Sequence, residues 1–444
     1  MLKILSNKRL LLYILLFGFV IRILINLIYQ PPNFFDAQAY EKAGFELLNF
    51  FKIKKNIIMP LYSIVAYLNK ICFNFYFFNI VFSTINIFLV SKITNKIFND
   101  LFVSNLSAIL MALYPFNIFY SITGFSETFF IMLLLTGFYF LFCKKFIISY
   151  IFFVLSVLCR PVGELIIPLI LLYSFIFIHK LQKKKIIINL GLYIMVYVIF
   201  MSPWWYHNFL KYGKFVRLNL STNYILYVGN NINNKSGGGV IIDDDDLRKF
   251  PERFKKEVRD YDFEIFRGKP GFETKVDYLD QEGNVNSYSI GFGVWQVDPG
   301  LGENLGKVSR KDGIDNFFLR DYYFKKAALD FIVKNPKLFL KNAFVKFKRF
   351  WSLIPHSYEF KNNTFFLIVS FLSVLFLLSF GLLGFFLDKN YRNLNLITFY
   401  LFIIYINLIH MILISSIRYR FIIEWILIIL SSYSLSYIYK KFFS

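Results

Sequence analysis

The stretch "LLLYILLFGFVIRILINLIYQPPNFFDAQAYEK", Leu10 to Lys42, joins a nearly uninterrupted apolar run to a proline pair and then to Asp36 and Glu41. A helix of about twenty apolar residues crosses the roughly 30 Å hydrocarbon core of a bilayer. The run follows Lys3, Lys8 and Arg9, as the apolar part of a signal peptide would. It is too long for that role and lacks a small-residue cleavage site, so it reads as a retained first membrane helix. Everything else in the chain is read outward from it.

Of 444 residues, 57% are hydrophobic and 21% aromatic. Nine further apolar runs, from Tyr76 to Val90 through Phe421 to Tyr437, bring the expectation to about ten transmembrane helices in an all-α polytopic membrane protein. The net charge of +22 would suggest a polyanionic partner in a soluble protein. Here the lysines lie mostly between the apolar runs, at Lys92/Lys96, Lys144/Lys145, "HKLQKKK" (His179 to Lys185), "DKNYR" (Asp388 to Arg392) and Lys440/Lys441. With a cytoplasmic amino terminus, each of these segments falls inside, as the positive-inside rule requires, and no nucleic-acid partner is implied. Asp36 then faces the opposite side. Cys72, Cys143 and Cys159 have no C-x-x-C spacing and read as packing residues.

Three parts follow. Residues 1–203 form a membrane module with a first external loop at 30–75, residues 204–361 an external module, and residues 362–444 the last membrane helices. The external module is rich in Gly and charge, with short alternating strands such as "NSYSIGFGVWQV". After it, "FFLRDYYFKKAALDFIVKNPKLFLKNAFVKFKRFW" reads as two amphipathic helices broken at Pro336 and lying along the membrane surface.

Ionisable residues at the external ends of the spans are the candidates for chemistry. Asp36 opens a helix on which Asp36, Tyr40, Ala43 and Leu47 share a face. A carboxylate there can act as a general base; the competing reading is that it stabilises the helix start through the macrodipole. Glu127, in "SITGFSETFF", lies where the third span turns into the fourth, and can converge with Asp36 or serve as a helix cap. Arg160 and Glu164, in "LCRPVGELIIP", either serve the site or pair with each other. Arg418 and Arg420, in "ISSIRYRFIIEW", can bind a phosphate together or snorkel to lipid headgroups. Glu41 and Glu46 read as surface charges on the helix of Asp36. "DDDD" (Asp243 to Asp246) lacks the glycine turn and distal glutamate of a calcium loop, and "GGG" (Gly237 to Gly239) reads as a flexible loop. His179, His207, His356 and His410 have no metal-ligand spacing, so no metal site is expected.

"FFDAQAYEKAGFELL", "MPLYSIVAYL", "ALYPFNIFYSITGFSETFFIMLLL", "CRPVGELIIPLILL" and "PWWYHNFLKYGKFVRLNLSTNYILYVGNN", with "NPKLFLKNAFVKFKRFW" and "RYRFIIEWILIIL", follow one another in an order and topology that resemble the GT-C glycosyltransferases. The likeness is to the broad group of bacterial protein O-mannosyltransferase and aminoarabinose-transferase relatives, and it covers most of the chain outside roughly Lys235 to Lys307. It implies a GT-C fold of about ten helices with a mixed external loop module. It also implies an inverting transfer of sugar from a polyprenyl-phosphate carrier to a lipid, glycan or protein acceptor, at the external face of a bacterial plasma membrane. The family's first-loop aspartate, taken as the general base, falls on Asp36. Its substrate-binding positions fall on Glu127, Arg160, Arg418, Tyr419 and Arg420, and His207 stands where relatives commonly carry arginine in Trp-x-x-Arg-Asn. Gln38 and Ala37 replace a second acid that many relatives have beside the aspartate. The resemblance implies no cofactor beyond the lipid-linked donor and leaves divalent-metal dependence open. The rival readings are a transporter or flippase of lipid-linked sugar, which wants charged or broken helices near the midplane, and a non-catalytic scaffold of the same fold.

Overall fold

Prolines and N-caps cut the apolar runs into helices. The computed structural model describes residues 5–29, 31, 34–50, 58–73, 75–177, 183–231, 234, 236–238, 263–265, 274–279, 285–290, 324–356, 363–387 and 394–443. Helix α1 (Leu10–Ile28) ends just before the proline pair, and α2 (Phe35–Phe50) and α3 (Pro60–Phe73) pair side by side in the first loop. Their contact depends on Gly44, because a Cβ there would lie 2.0 Å from the Ser63 carbonyl oxygen. Helix α4 (Phe77–Phe98) follows. Asp100 then caps α5 (Leu101–Leu113), its carboxylate accepting from the Phe102 and Val103 amides. Pro115 breaks that span into α5 and α6 (Pro115–Ser121), bent by 57°, because the residue before a proline is pushed out of the helical region. Asn117 Nδ2 donates to the Met111 carbonyl at 2.9 Å and satisfies a group freed by the break.

Helices α7 (Glu127–Phe142), α8 (Phe146–Cys159), α9 (Ile166–Phe177) and α10 (Lys183–Tyr212) complete the first bundle, and α11 (Thr222–Gly229) is short. Helix α10 runs on through Pro203, so the boundary read at 203/204 falls inside a helix. Ser202 Oγ donates to the Ile199 carbonyl, which the proline cannot serve. Strands β1 (Phe263–Ile265), β2 (Thr274–Leu279) and β3 (Val285–Ile290) form an antiparallel sheet in that order. Helices α12 (324–334) and α13 (Pro336–Phe350) meet at the Pro336 break, and α14 (Thr364–Leu387), α15 (Leu394–Ile412) and α16 (Ile417–Phe443) end the chain. Residues 179, 243–246 and 388–392, singled out in the sequence, lie outside the described residues.

Among the described residues six helices are long and apolar enough to cross a membrane, or seven if α5 and α6 are one span. That corrects the expectation of about ten. The 16 residues of α7 rise only about 24 Å, and α8 and α9 are shorter still. An apolar run in sequence measures burial as well as lipid contact. Phe130, Leu134 and Phe138 of α7 are fully buried by neighbouring helices, so its length need not match the bilayer.

Helix α16 runs through the middle of the bundle, with Phe421, Ile422, Trp425 and Ile429 buried. Contacts at its two ends sort the helix ends into two sets. At one end Lys440 pairs with Asp100, the Phe98 and Tyr433 rings stack 4.5 Å apart, and Asn105 Nδ2 donates to the Leu5 carbonyl. At the other, Arg418 meets the starts of α2 and α7. The described basic turns at Lys96, Lys144/Lys145 and Lys440 belong to the first set, as the charge reading of topology requires.

One charge inside a span was overlooked in the sequence. Arg22 of α1 is fully buried, giving Nε to Ser83 Oγ at 2.8 Å and Nη1 to the Gly18 and Ala112 carbonyls. Its run is so apolar that a window average absorbs one guanidinium.

Candidate functional site

Four ionisable side chains from distant parts of the sequence meet at the second end. Asp36 comes from the first turn of α2, Glu127 from the first turn of α7, Arg160 from the turn after α8, and Arg418 from the first turn of α16. Each is placed by a helix beginning or ending there, which explains why the sequence showed them all at the edges of apolar runs. The turn before α7 closes tightly on α2: a Cβ on Gly124 would lie 2.4 Å from that of Ala37.

Glu127 is the centre of the cluster and is fully buried. Arg160 Nη1 donates to its Oε1 at 2.5 Å; Arg418 donates from Nε to the same oxygen and from Nη2 to Oε2 at 3.4 Å. Arg418 Nη1 reaches Asp36 Oδ2 at 2.5 Å, and the guanidinium lies over the Phe125 ring, 4.0 Å from its centroid. Two carboxylates and two guanidiniums thus balance in formal charge, the condition under which charges tolerate burial. Burial alone would lower Arg160, and Glu127 opposes it and holds the guanidinium above its ordinary pKa, so it stays charged. Tyr40, one helical turn after Asp36, bonds Ser126 Oγ at 3.1 Å. Burial pushes its phenol up to about 12, which keeps it protonated.

Beside this cluster opens a cavity of about 960 Å³. Asp36, Arg418 and Tyr419 lie on its wall, whereas Ile25, Phe119 and Phe366 are among the apolar groups that make up most of the rest. The Asp36 side chain is 34% exposed and that of Arg418 22%. A charged pair at one side of an apolar chamber suits an amphipathic ligand with an anionic or hydroxyl-bearing head. The Tyr419 ring stacks on His410 at 4.2 Å, which fixes its place on the wall.

The other expected site residues are placed differently. Glu127 and Arg160 are not on the cavity wall: Glu127 holds Arg418, and Arg160 holds Glu127. Arg420 points away from Arg418 and is fully buried, bonded to Glu424 Oε1 at 2.6 Å and to the Phe350 and Ser352 carbonyls. The two arginines therefore do not form one phosphate clamp, because residues two apart on a helix do not face the same way. His207 stacks on Trp204 at 4.9 Å and is buried in α10, off the cavity wall. Arg160 and Glu164 do not pair with each other: Glu164 takes Arg217 at 2.6 Å and the Tyr197 hydroxyl at 2.5 Å. Glu46 is buried and Glu41 bonds Tyr76 and Lys70, so neither is a free surface charge. Gly237 and Gly238 are buried too, and the Gly237 carbonyl accepts from the Ser415 amide at 3.1 Å, so that part of "GGG" is a fixed turn.

Sequence reasoning missed Tyr40's bond to Ser126, although Tyr40 shares the Asp36 face. It also missed His356 on the cavity wall; burial and then Arg349 hold that imidazole below its ordinary value. Among the described residues no group of three or more His, Cys, Asp or Glu side chains is arranged to hold a metal ion. No protein-family model, curated protein or solved structure matches the chain.

Proposed function

We propose that the protein is an inverting GT-C-type glycosyltransferase, moving a sugar from a polyprenyl-phosphate carrier to a hydroxyl of a lipid, glycan or protein acceptor. The transfer would take place at the non-cytoplasmic face of a bacterial plasma membrane. The observation that carries the reading is the pairing of Asp36 with Arg418 on the wall of a mostly apolar chamber, at the end of the bundle opposite the basic turns. A phosphate-linked donor brings its own leaving group, so one base and one cation suffice, in contrast to the two carboxylates of a glycoside hydrolase. Asp36 takes the proton from the acceptor oxygen as that oxygen attacks the anomeric carbon. The bond from that carbon to the phosphate oxygen breaks with its electron pair, and Arg418 stabilises the negative charge gathering on the departing phosphate. Nη1 of Arg418 moves from Asp36 to the phosphate in this scheme, while Nε and Nη2 stay on Glu127. The carboxylate is thereby released to act as a base when the donor is in place.

Incubation of the purified protein with a panel of polyprenyl-phosphate sugars and membrane extract tests the reading. It predicts release of free carrier phosphate from at least one donor. A second reading, movement of lipid-linked sugar across the membrane, is favoured by the 57° break between α5 and α6 and by Arg22 buried in the first span. Movement of a donor between leaflets of sealed vesicles with no carrier release would favour it and would overturn the transferase.

A further inference from the structure

Helix α13 buries polar groups beside Ala343 and Phe350 and leaves apolar ones exposed, unlike a helix on a soluble surface. Its inward face holds polar groups: Asn342 and Lys346 are buried, Lys346 Nζ donates to Asn230 Oδ1 at 3.1 Å and to the Ile412 carbonyl at 3.0 Å, and Arg349 Nε donates to the Ser415 carbonyl at 3.0 Å. Its outward face holds Leu340 at 66% and Phe344 at 55% exposure, and Val333 at the end of α12 continues the apolar stripe. Lys337, Lys341 and Lys348 alternate with these residues, all exposed, and Lys348 Nζ lies 4.8 Å from the Phe344 ring centroid.

Water is a poor neighbour for that apolar stripe and hydrocarbon is a poor one for the lysines. The boundary between them suits both, with the rings among the upper acyl carbons and the ammonium groups reaching up to phosphates. The helix is held at that depth, since its inward anchors, Ile412 at the end of α15 and Ser415 in the turn after it, lie where two helices long enough to span the membrane join. Lys337 and Lys341 make no ion pair among the described residues. The one acid in the described part of α12 and in α13, Asp330, faces Lys334 at 3.8 Å. The charge left on the face is positive.

We propose that the outward face of α13 docks on anionic phospholipid headgroups of the leaflet at the site end, with Lys337, Lys341 and Lys348 on their phosphates. The docking has a consequence for the cavity. The inward side of the same helix holds the turn that leads within one helical turn to Arg418, so a seated α13 fixes the wall on which Arg418 lies. The inference stands on α13 alone and does not depend on the reaction proposed above.

Native mass spectrometry of the protein released from nanodiscs of mixed phosphatidylglycerol and phosphatidylcholine tests it. The wild type should retain phosphatidylglycerol preferentially, and the Lys337→Gln/Lys341→Gln/Lys348→Gln variant should lose that preference by about tenfold or more, since each lysine adds attraction to an anionic surface. Lys96→Gln/Lys144→Gln/Lys145→Gln, at the opposite end of the bundle, serves as the charge-matched control and should retain it. The three replaced lysines are exposed, so the variant should keep the wild-type melting temperature. Equal retention by the wild type and the triple variant would overturn the proposal. So would a dimer lost on Leu340→Ser/Phe344→Ser, which would make the face a contact between copies, or displacement of the lipid by inorganic phosphate, which would make it a free-anion site.

Discussion

Arg418 and Arg420 stand two residues apart and do different things. Arg418 lies on the cavity wall with its charge shared between Asp36 and Glu127, whereas Arg420 ties Glu424 to the chain around Phe350. Arg420→Met should therefore cost about 3 kcal/mol of stability by leaving Glu424 buried without its cation. Double replacement with Glu424→Leu should recover part of that loss, and donor affinity should stay near the wild-type value throughout. Thermal unfolding in detergent and donor titration check both halves. A large loss of affinity with unchanged stability would return Arg420 to the site. Each member of the Asp36, Glu127, Arg160 and Arg418 cluster was visible in sequence as a charge at the edge of an apolar run. Their pairing was not, because the choice of Glu127 over Glu164 for Arg160 is made by side chains that only the packed bundle brings together.

Helix boundaries follow from local chemistry, and Pro115, Pro336 and the Asp100 cap fall where turn and capping rules place them. Burial of charged groups on those helices does not follow, and Glu46 and Lys346 are the cases in point. Helix α2 presents Asp36 only because Gly44 lets it lie against α3. Gly44→Ala should push the pair apart at a cost of about 1–3 kcal/mol. A displacement of about 1 Å at Asp36 should lower turnover on the order of a hundredfold. Wild-type kinetics together with a wild-type melting temperature would contradict this account of α2.

Lys346 gives α13 a pH signature. Burial pushes its amine down to about 7 from an ordinary value near 10.5. Between those values the unfolded chain holds a proton that the folded lysine lacks, so folding stability contributed by this group rises as pH rises through that window. Melting temperatures of the wild type and Lys346→Met, compared from pH 7 upward, should show an upward slope in the difference, limited to about 1.4 kcal/mol per pH unit. A flat difference would mean that the amine is not charged on unfolding in that range.

At the scale of the whole molecule, two opposite ends organise the chain, and alternating basic turns made that much legible without any structure. The number of true spans was less legible, because α7 is apolar for the sake of packing and α8 and α9 are apolar but short. The three cysteines report the orientation directly. Cys72 is exposed on α3, in the loop that also carries α2, Cys143 lies beside the basic turn at Lys144, and Cys159 is buried. An impermeant thiol reagent applied to right-side-out vesicles should label Cys72 alone, Cys143 should react only after permeabilisation, and Cys159 only after unfolding. Labelling of Cys143 from outside would invert the topology and put Asp36 on the cytoplasmic face.

The central claim is that Asp36 is the base of a transfer reaction driven by a phosphate leaving group. It is tested most directly by the initial rate of carrier-phosphate release from the best polyprenyl-phosphate sugar in the panel, measured for the wild type and Asp36→Asn at equal amounts of folded, membrane-inserted protein. The account predicts rapid release by the wild type and a fall of at least about a hundredfold in the variant, the scale of a lost general base. Release by Asp36→Asn at the wild-type rate would contradict it.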